Sequence, residues 1–145
     1  MDKKENEVNV LDEVNKGACM GKDAVRFLLD KTKSDSLKHD LLLLLHEYEK
    51  ILGRIKELYP HYSWDKPHET NAMNKIMTWY GIEMKTFLDD SNSKISEILL
   101  QGLNMGVIEG RKLLNHKDCE AKIQLLVHEF VSLQEEAIET FKMYL

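Results

Sequence analysis

Cysteine and proline each occur only twice in this chain of 145 residues, and long apolar runs are missing. The two cysteines, Cys19 and Cys119, belong to no Cys-x-x-Cys pair. This pattern argues against a disulfide framework and predicts reduced thiols, packed as small core residues, in the cytoplasm. The longest aliphatic run, Leu41 to Leu45, has five residues, whereas a helix that spans a bilayer needs about 20. The charged amino-terminal residues precede no apolar core and do not resemble a signal peptide.

Clustered basic charge is absent as well. The 20 lysines and arginines are scattered among 25 acidic residues, which gives a net charge of -5. Because nucleic-acid recognition needs a clustered basic face, we expect no nucleic-acid partner, and we expect no membrane partner. Phosphate-binding loops, dinucleotide fingerprints and the nucleophile elbow of hydrolases do not occur. No catalytic constellation stands out, and the sequence favours a non-catalytic protein.

Hydrophobic residues recur with a helical period along most of the chain. The composition, 43% hydrophobic and 31% charged, is typical of a soluble helical domain. Asp35 or Ser34 is expected to cap the second helix, and Thr70 the third. On the third helix the pattern predicts burial of Met73, Ile76, Met77, Tyr80, Met84 and Phe87. The inward positions that it predicts on the second helix are Leu37, Leu41, Leu44, Tyr48, Ile51 and Ile55, and those on the fifth are Cys119, Ile123, Leu126, Phe130, Leu133 and Ala137. The five helices are expected at about residues 8–31, 35–58, 70–88, 93–114 and from 118 to near the end.

An internal repeat is the most informative feature of the sequence. The segment from Gly17 to Leu29 aligns with that from Gly102 to Leu114, 85 positions later, with six identities in thirteen positions. Residues 46–48, His-Glu-Tyr, match residues 128–130, His-Glu-Phe, at an offset of 82. The two offsets differ by a deletion that falls in the predicted loop between helices, as expected of a structural repeat.

The repeat predicts one all-α domain, residues 8–145, that follows a disordered amino terminus, residues 1–7. Two related hairpins, residues 8–58 and 93–145, would pack as a pseudo-twofold four-helix bundle. The insert between them, residues 59–92, is long enough for a crossover along the bundle that carries the third helix. The aromatic residues Tyr59, Tyr62 and Trp64 are expected to hold this insert against the bundle.

Glycines mark the matching helices of the two hairpins. Gly17 and Gly21 lie four residues apart on the first helix, and Gly102, Gly106 and Gly110 on the fourth. Because interior glycine costs a helix up to about 1 kcal/mol relative to alanine, these positions need a structural reason. We expect close backbone approach between the two helices; the alternative is room for a ligand or a large side chain.

Two paired hairpins with a long crossover resemble the ferritin-like superfamily. Two features of the sequence are similar to uncharacterised bacterial ferritin-like proteins. They are the pairs Met20-Gly21 and Met105-Gly106, and residues 79–84, Trp-Tyr-Gly-Ile-Glu-Met. The resemblance implies a bundle and, in many members, a di-iron site that needs inward Glu-x-x-His motifs. No such motif occurs in this chain. The helical register also predicts that three histidines point outward: His39, His46 and His128.

Candidate metal ligands remain at two places. Glu109 lies beside a glycine and is expected to face inward, paired with Arg26, Arg111 or Lys22; a salt bridge at the flank is the alternative. The insert carries four residues of metal-binding types within nine positions: His61, Asp65, His68 and Glu69. Such spacing across a proline-containing loop is unspecific, so accidental clustering is the competing interpretation.

The function expected from the sequence is that of a non-catalytic binding or self-association module without a cofactor. A metal-binding or iron-handling protein, with iron or manganese at a non-standard site, is the alternative. A third hypothesis is a small-molecule binder with a pocket formed by Met20, Met84 and Met105. Surplus apolar residues predict a homodimer built on helix 2 or helix 5. They are Leu42, Leu45, Leu52, Val127, Val131, Ile138 and Phe141.

Overall fold

The structure, a computed structural model, describes residues 3–69 and 71–145. Those residues form a bundle of five α-helices and contain no strand. Within them, no helix is both long and apolar enough to cross a membrane. The predicted all-α bundle is confirmed. The helices are α1 (Lys3–Lys31), α2 (Asp35–Leu58), α3 (Ala72–Thr86), α4 (Asn92–His116) and α5 (Ala121–Lys142), and a 3₁₀ turn, Tyr59–His61, follows α2.

Short polar side chains begin three of the helices. The hydroxyl of Ser34 accepts a hydrogen bond from the backbone N–H of Leu37 at the start of α2. Ser91 caps α4 in the same way, and the side-chain oxygen of Asn71 caps α3. Each cap satisfies an amide that the helix itself leaves unpaired. Thr70, the cap predicted for α3, lies outside the described residues.

The α1 helix begins earlier than its apolar pattern predicts. Of residues 1–7, expected to be disordered, residues 3–7 belong to the helix, and residues 1–2 lie outside the described residues. Glu7 is fully buried, and its carboxylate accepts a hydrogen bond of 3.3 Å from the backbone N–H of Glu120 at the start of α5. This contact ties the first turns of α1 to the second hairpin, which apolar periodicity alone does not reveal.

The four long helices enclose the core. α1 packs on α2 and α4 on α5, the two hairpins meet through α1–α4 and α2–α5 contacts, and α3 lies against α1 and α4. The inward positions predicted for α5 are all buried, and Tyr48 and Phe130, which match in the sequence repeat, are each 2% exposed. The buried positions on α2 are Leu37, Leu41, Leu44, Tyr48, Ile51 and Ile55.

The predicted buried face of α3 is wrong. All six residues expected inside are exposed, and Ile82 and Thr86 are the buried residues of the helix among those whose burial is described. Ion pairs with α1 provide the reason. Lys75 lies 3.6 Å from the nearly buried carboxylate of Asp23, and Glu83 lies 2.7 Å from Lys31. A buried carboxylate needs a charged partner, so these pairs favour the rotation of α3 in which Lys75 and Glu83 lie beside α1.

The apolar strip expected on α2 and α5 is not exposed as predicted. Val127, Val131 and Phe141 are buried. Leu45, Leu52 and Ile138 are partly buried against the core, whereas Leu42 is exposed. Neither flank therefore offers the contiguous surface on which the predicted dimer was based.

Polar contacts hold the insert against α1. Asp12, which is 6% exposed, accepts hydrogen bonds from the hydroxyl of Tyr59 and the backbone N–H of His68, both at 2.9 Å. Tyr62 donates to Glu120 at 2.6 Å. The predicted anchoring role is wrong for Trp64, whose side chain is fully exposed.

Candidate functional site

A cavity of about 580 Å³ lies between α1, α3 and α4, and side chains of α2 and α5 form its floor. Its volume falls in the range of about 300–1,000 Å³ that is typical of small-molecule sites. The lining includes six of the seven glycines of the chain. They are Gly17 and Gly21 on α1, Gly81 on α3, and Gly102, Gly106 and Gly110 on α4.

Four of these glycines accommodate side chains from the floor and its surroundings. A Cβ atom at Gly17 would lie 2.9 Å from Phe130 Cζ. At Gly21 it would overlap the ring of Tyr48, at Gly106 the side-chain amide of Gln134, and at Gly110 the side chain of Val131. These residues are therefore glycine because large side chains of α2 and α5 pack against the bare backbone of α1 and α4.

The predicted reason for the glycines, close backbone approach of α1 to α4, is wrong at these four positions. The first atoms that a side chain would meet there belong to α2 and α5 side chains. At the remaining two glycines, Gly81 and Gly102, a Cβ atom would have no atom within 4 Å other than those of its chain neighbours and the nearby backbone of its own helix. They border open space, and Gly102 is exposed. Room for a large side chain, the alternative, describes the other four positions.

A hydrogen-bonded pair forms the polar part of the floor. The hydroxyl of Tyr48 donates to Gln134 Oε1 at 2.9 Å, and Gln134 Nε2 donates to the carbonyl oxygen of Phe130 at 3.0 Å. Both side chains are 2% exposed. Burial raises the pKa of Tyr48, so its hydroxyl stays neutral. The amide of Gln134 retains a second N–H and a second lone pair with which to meet a ligand.

Methionine and aliphatic side chains form much of the cavity wall. Met20 of α1 and Met105 of α4 lie there, as the pocket hypothesis expects. The α3 contribution is Met77; the expectation for Met84 is wrong, because Met84 is on the outward side of α3 and 63% exposed. Flexible thioether side chains adapt to ligands of different shape. The aliphatic lining residues are Ala24, Leu28, Ile82, Ile98, Leu99, Leu103 and Leu113.

The predicted inward orientation of Glu109 is wrong. Its side chain is 64% exposed and lies 3.7 Å from Lys112, so the flanking salt bridge is what the structure contains. Glu109 borders the cavity at a solvated edge, where its charge keeps water contact. The cations expected beside it pair elsewhere, Arg26 with Glu49 and Arg111 with Glu135.

The insert does not bring its four candidate ligands together. His61, Asp65, His68 and Glu69 are all exposed. Nowhere in residues 3–69 and 71–145 do three histidine, cysteine, aspartate or glutamate side chains form a group that could hold a metal ion. The outward histidines are exposed as predicted: His39, His46 and His128.

Both cysteines are buried. Burial, together with the nearby carboxylate of Glu7, raises the pKa of Cys119 to about 11. Its reactive thiolate form is therefore scarce at neutral pH, in agreement with the expected packing role.

Sequence reasoning missed Gln134, Gly81 and Met77 as members of one site. Gln134 had a detectable signal, since it is a polar residue within the apolar face of α5, one helical turn after Phe130. Gly81 and Met77 had none, because the rotation of α3 depends on ion pairs with α1.

Comparisons with protein-family models, curated proteins and solved structures find no match to this chain. The cavity and its lining residues are thus the basis for assigning a function.

Proposed function

We propose that this protein is a non-catalytic, ferritin-like helical bundle that binds a small, largely apolar molecule between α1, α3 and α4. The observation that carries the proposal is the lining of the cavity, where six glycines surround a floor made by Tyr48, Phe130 and Gln134. The cost of glycine within helices is offset where bare backbone makes room for other atoms. Two of these glycines border space that no side chain fills.

The shape and chemistry of the cavity define the class of ligand. At about 30 Å³ per non-hydrogen atom, as in liquid water, a volume of 580 Å³ holds roughly 20 such atoms. Methionine and aliphatic walls suit an apolar body, and the Tyr48–Gln134 pair suits one hydroxyl, amide or carbonyl group. An ionised group would be desolvated at this depth, so the ligand is neutral at its inner end.

The two cysteines bear on the cellular location of the protein. Two cysteines that belong to no Cys-x-x-Cys pair are typical of a reducing compartment, which supports the cytoplasm as the location. The repeated hairpins support the ferritin-like architecture. We also expect a homo-oligomer, through a surface other than the cavity.

The test uses 2-naphthol, which has an apolar body and one hydroxyl, in an NMR titration of the labelled protein. The comparison variant is Gly102→Leu, whose side chain would enter open space. Gly53→Leu is the matched control, because Gly53 also has open space around it but lies on α2 outside the cavity.

The wild type and Gly53→Leu should show saturable shifts centred on the cavity, and Gly102→Leu should lose them while remaining folded. Absence of saturable shifts in the wild type would contradict the proposal. So would equal binding by Gly102→Leu, since the probe would then occupy another place.

A further inference from the structure

The outward face of α3 is apolar along its whole length. We define this outer face as Met73, Ile76, Tyr80, Met84 and Phe87, which are between 55% and 84% exposed. Met77 and Leu88 flank it with exposed fractions of 61% and 93%. A surface helix of a monomer normally packs such an apolar stripe against the core. The exposed position of the outer face is therefore not expected of a monomeric protein.

Ion pairs join the other side of α3 to α1. Lys75 and Glu83 of α3 are paired with Asp23 and Lys31 of α1. Turning the stripe inward would break both pairs and leave the Asp23 carboxylate, whose side chain is 10% exposed, without its partner. The outer face is therefore available to another molecule.

Its pattern is symmetric about one residue. Met73 and Phe87 lie seven positions before and after Tyr80, and Ile76 and Met84 lie four positions before and after it. Two copies of α3 that cross antiparallel at Tyr80 place Met73 of one copy opposite Phe87 of the other, and Ile76 opposite Met84. A twofold dimer requires a surface that is complementary to itself, and this stripe has that property.

The area of the surface is also adequate. The five side chains of the outer face and Leu88, which are 55–93% exposed, present on the order of 800 Å², at roughly 200 Å² for a fully exposed large side chain. A standard interface needs about 800 Å² from each partner, and the largest apolar patch of a typical monomer is about 300–600 Å². No charged residue interrupts the outer face.

A membrane surface is the competing occupant, and charge disfavours it. Interfacial helices carry lysine and arginine that attract anionic lipid. This chain has a net charge of -5, and Asp89 and Asp90 follow the outer face directly. A second copy carries the same net charge, but the outer face through which the two copies would meet contains no charged residue.

We propose that the outer face of α3 is the interface of a homodimer, with the two α3 helices antiparallel about Tyr80. This gives the self-association part of the proposed function a surface, and it is independent of ligand binding in the cavity. The dimer buries the apolar stripe without moving any contact between α3 and α1.

Sedimentation equilibrium tests the interface. The wild type should have twice the monomer mass of 16.9 kDa, and Ile76→Glu and Met84→Lys should each have half the wild-type mass with unchanged circular dichroism. Leu125→Glu, at an apolar site on α5 that is 58% exposed, is the control and should stay dimeric. Ligand binding is measured separately, by the 2-naphthol titration, so either proposal can fail while the other holds.

Mixing the two variants tests the register. Ile76→Glu and Met84→Lys face each other in the antiparallel pair, so an equimolar mixture should regain the dimer mass that neither variant shows alone. A monomeric wild type, with or without binding to neutral phosphatidylcholine vesicles, would overturn the proposal. An unchanged dimer in Ile76→Glu would place the interface elsewhere, and a mixture that stays monomeric would exclude the antiparallel register.

Discussion

The α1–α4 side and the α2–α5 side of the bundle differ in what lies between their helices. The α1–α4 side has an open, glycine-lined cavity of about 580 Å³, whose lining is mostly apolar but includes the charged residues Glu13, Lys16, Lys85 and Glu109. The α2–α5 side has a groove of about 370 Å³ lined by five charged side chains. Lys50 pairs with Glu47 at 3.3 Å there, and Arg54 pairs with Glu129. The lining is mostly apolar on the first side and mostly charged on the second.

The placement of glycine accounts for this difference. α5 contains no glycine, and the single glycine of α2, Gly53, lies against no other side chain. On α1 and α4, glycines allow Tyr48, Phe130 and Gln134 to lie directly on the backbone. The two hairpins therefore form one bundle with a different surface on each side.

The largest expected effect is on the glycine side. Gly106→Leu would displace Gln134 from its buried position. Overpacking typically costs about 1–3 kcal/mol, and a displaced buried polar group adds about 1–3 kcal/mol. We expect a loss of more than about 3 kcal/mol in the free energy of unfolding, measured by urea denaturation.

The control for that substitution is Gly53→Leu on the other side. Leucine replaces glycine in an exposed helix there, so we expect a gain of up to about 1 kcal/mol. Equal effects of the two substitutions would remove the distinction between the two sides.

A smaller effect is expected at the polar floor. Gln134→Leu leaves the buried hydroxyl of Tyr48 without its acceptor, which should cost about 1–3 kcal/mol. Adding Tyr48→Phe removes that hydroxyl, so the double variant should be more stable than Gln134→Leu alone. A double-mutant cycle by urea denaturation measures this coupling; strictly additive losses would mean that the pair does not act as a unit.

The smallest effect is expected on the charged side. His46→Ala and His128→Ala should each change the free energy of unfolding by no more than about 0.5 kcal/mol, because both histidines are exposed. Removing the surface ion pair with Arg54→Ala should cost at most about 1 kcal/mol. A loss of several kcal/mol at any of these sites would show that the groove contributes to the fold as the cavity floor does.

The sequence predicts the helices and the inward residues of α2 and α5 well, because one apolar face with a 3.6-residue period decides them. The α2 helix begins and ends where its caps and periodicity indicate, at Asp35 and Leu58. The start of α1 was missed because the buried residue there, Glu7, is charged. Its burial depends on the α5 amide to which it binds, a partner more than a hundred residues away.

The rotation of α3 could not be predicted from the sequence for the same physical reason. Its apolar stripe follows a helical period clearly, yet the ion pairs of Lys75 and Glu83 with α1 leave that stripe outside. Half of the site was recognisable, since the glycines and Met20 and Met105 were identified from sequence. The floor pair was not, because pairing of Tyr48 with Gln134 requires the packing of α2 on α5.

Xenon binding tests most directly whether the two sides differ as described. Xenon enters apolar cavities and not charged grooves. A crystal structure determined under pressurised xenon therefore shows which side of the bundle has an apolar cavity. The account predicts xenon between α1, α3 and α4, beside Gly102 and Met105, and none beside Arg54 and Glu129. A crystal structure with α3 turned inward, the cavity filled by Met73, Tyr80 and Met84 and no xenon beside Gly102, would contradict it.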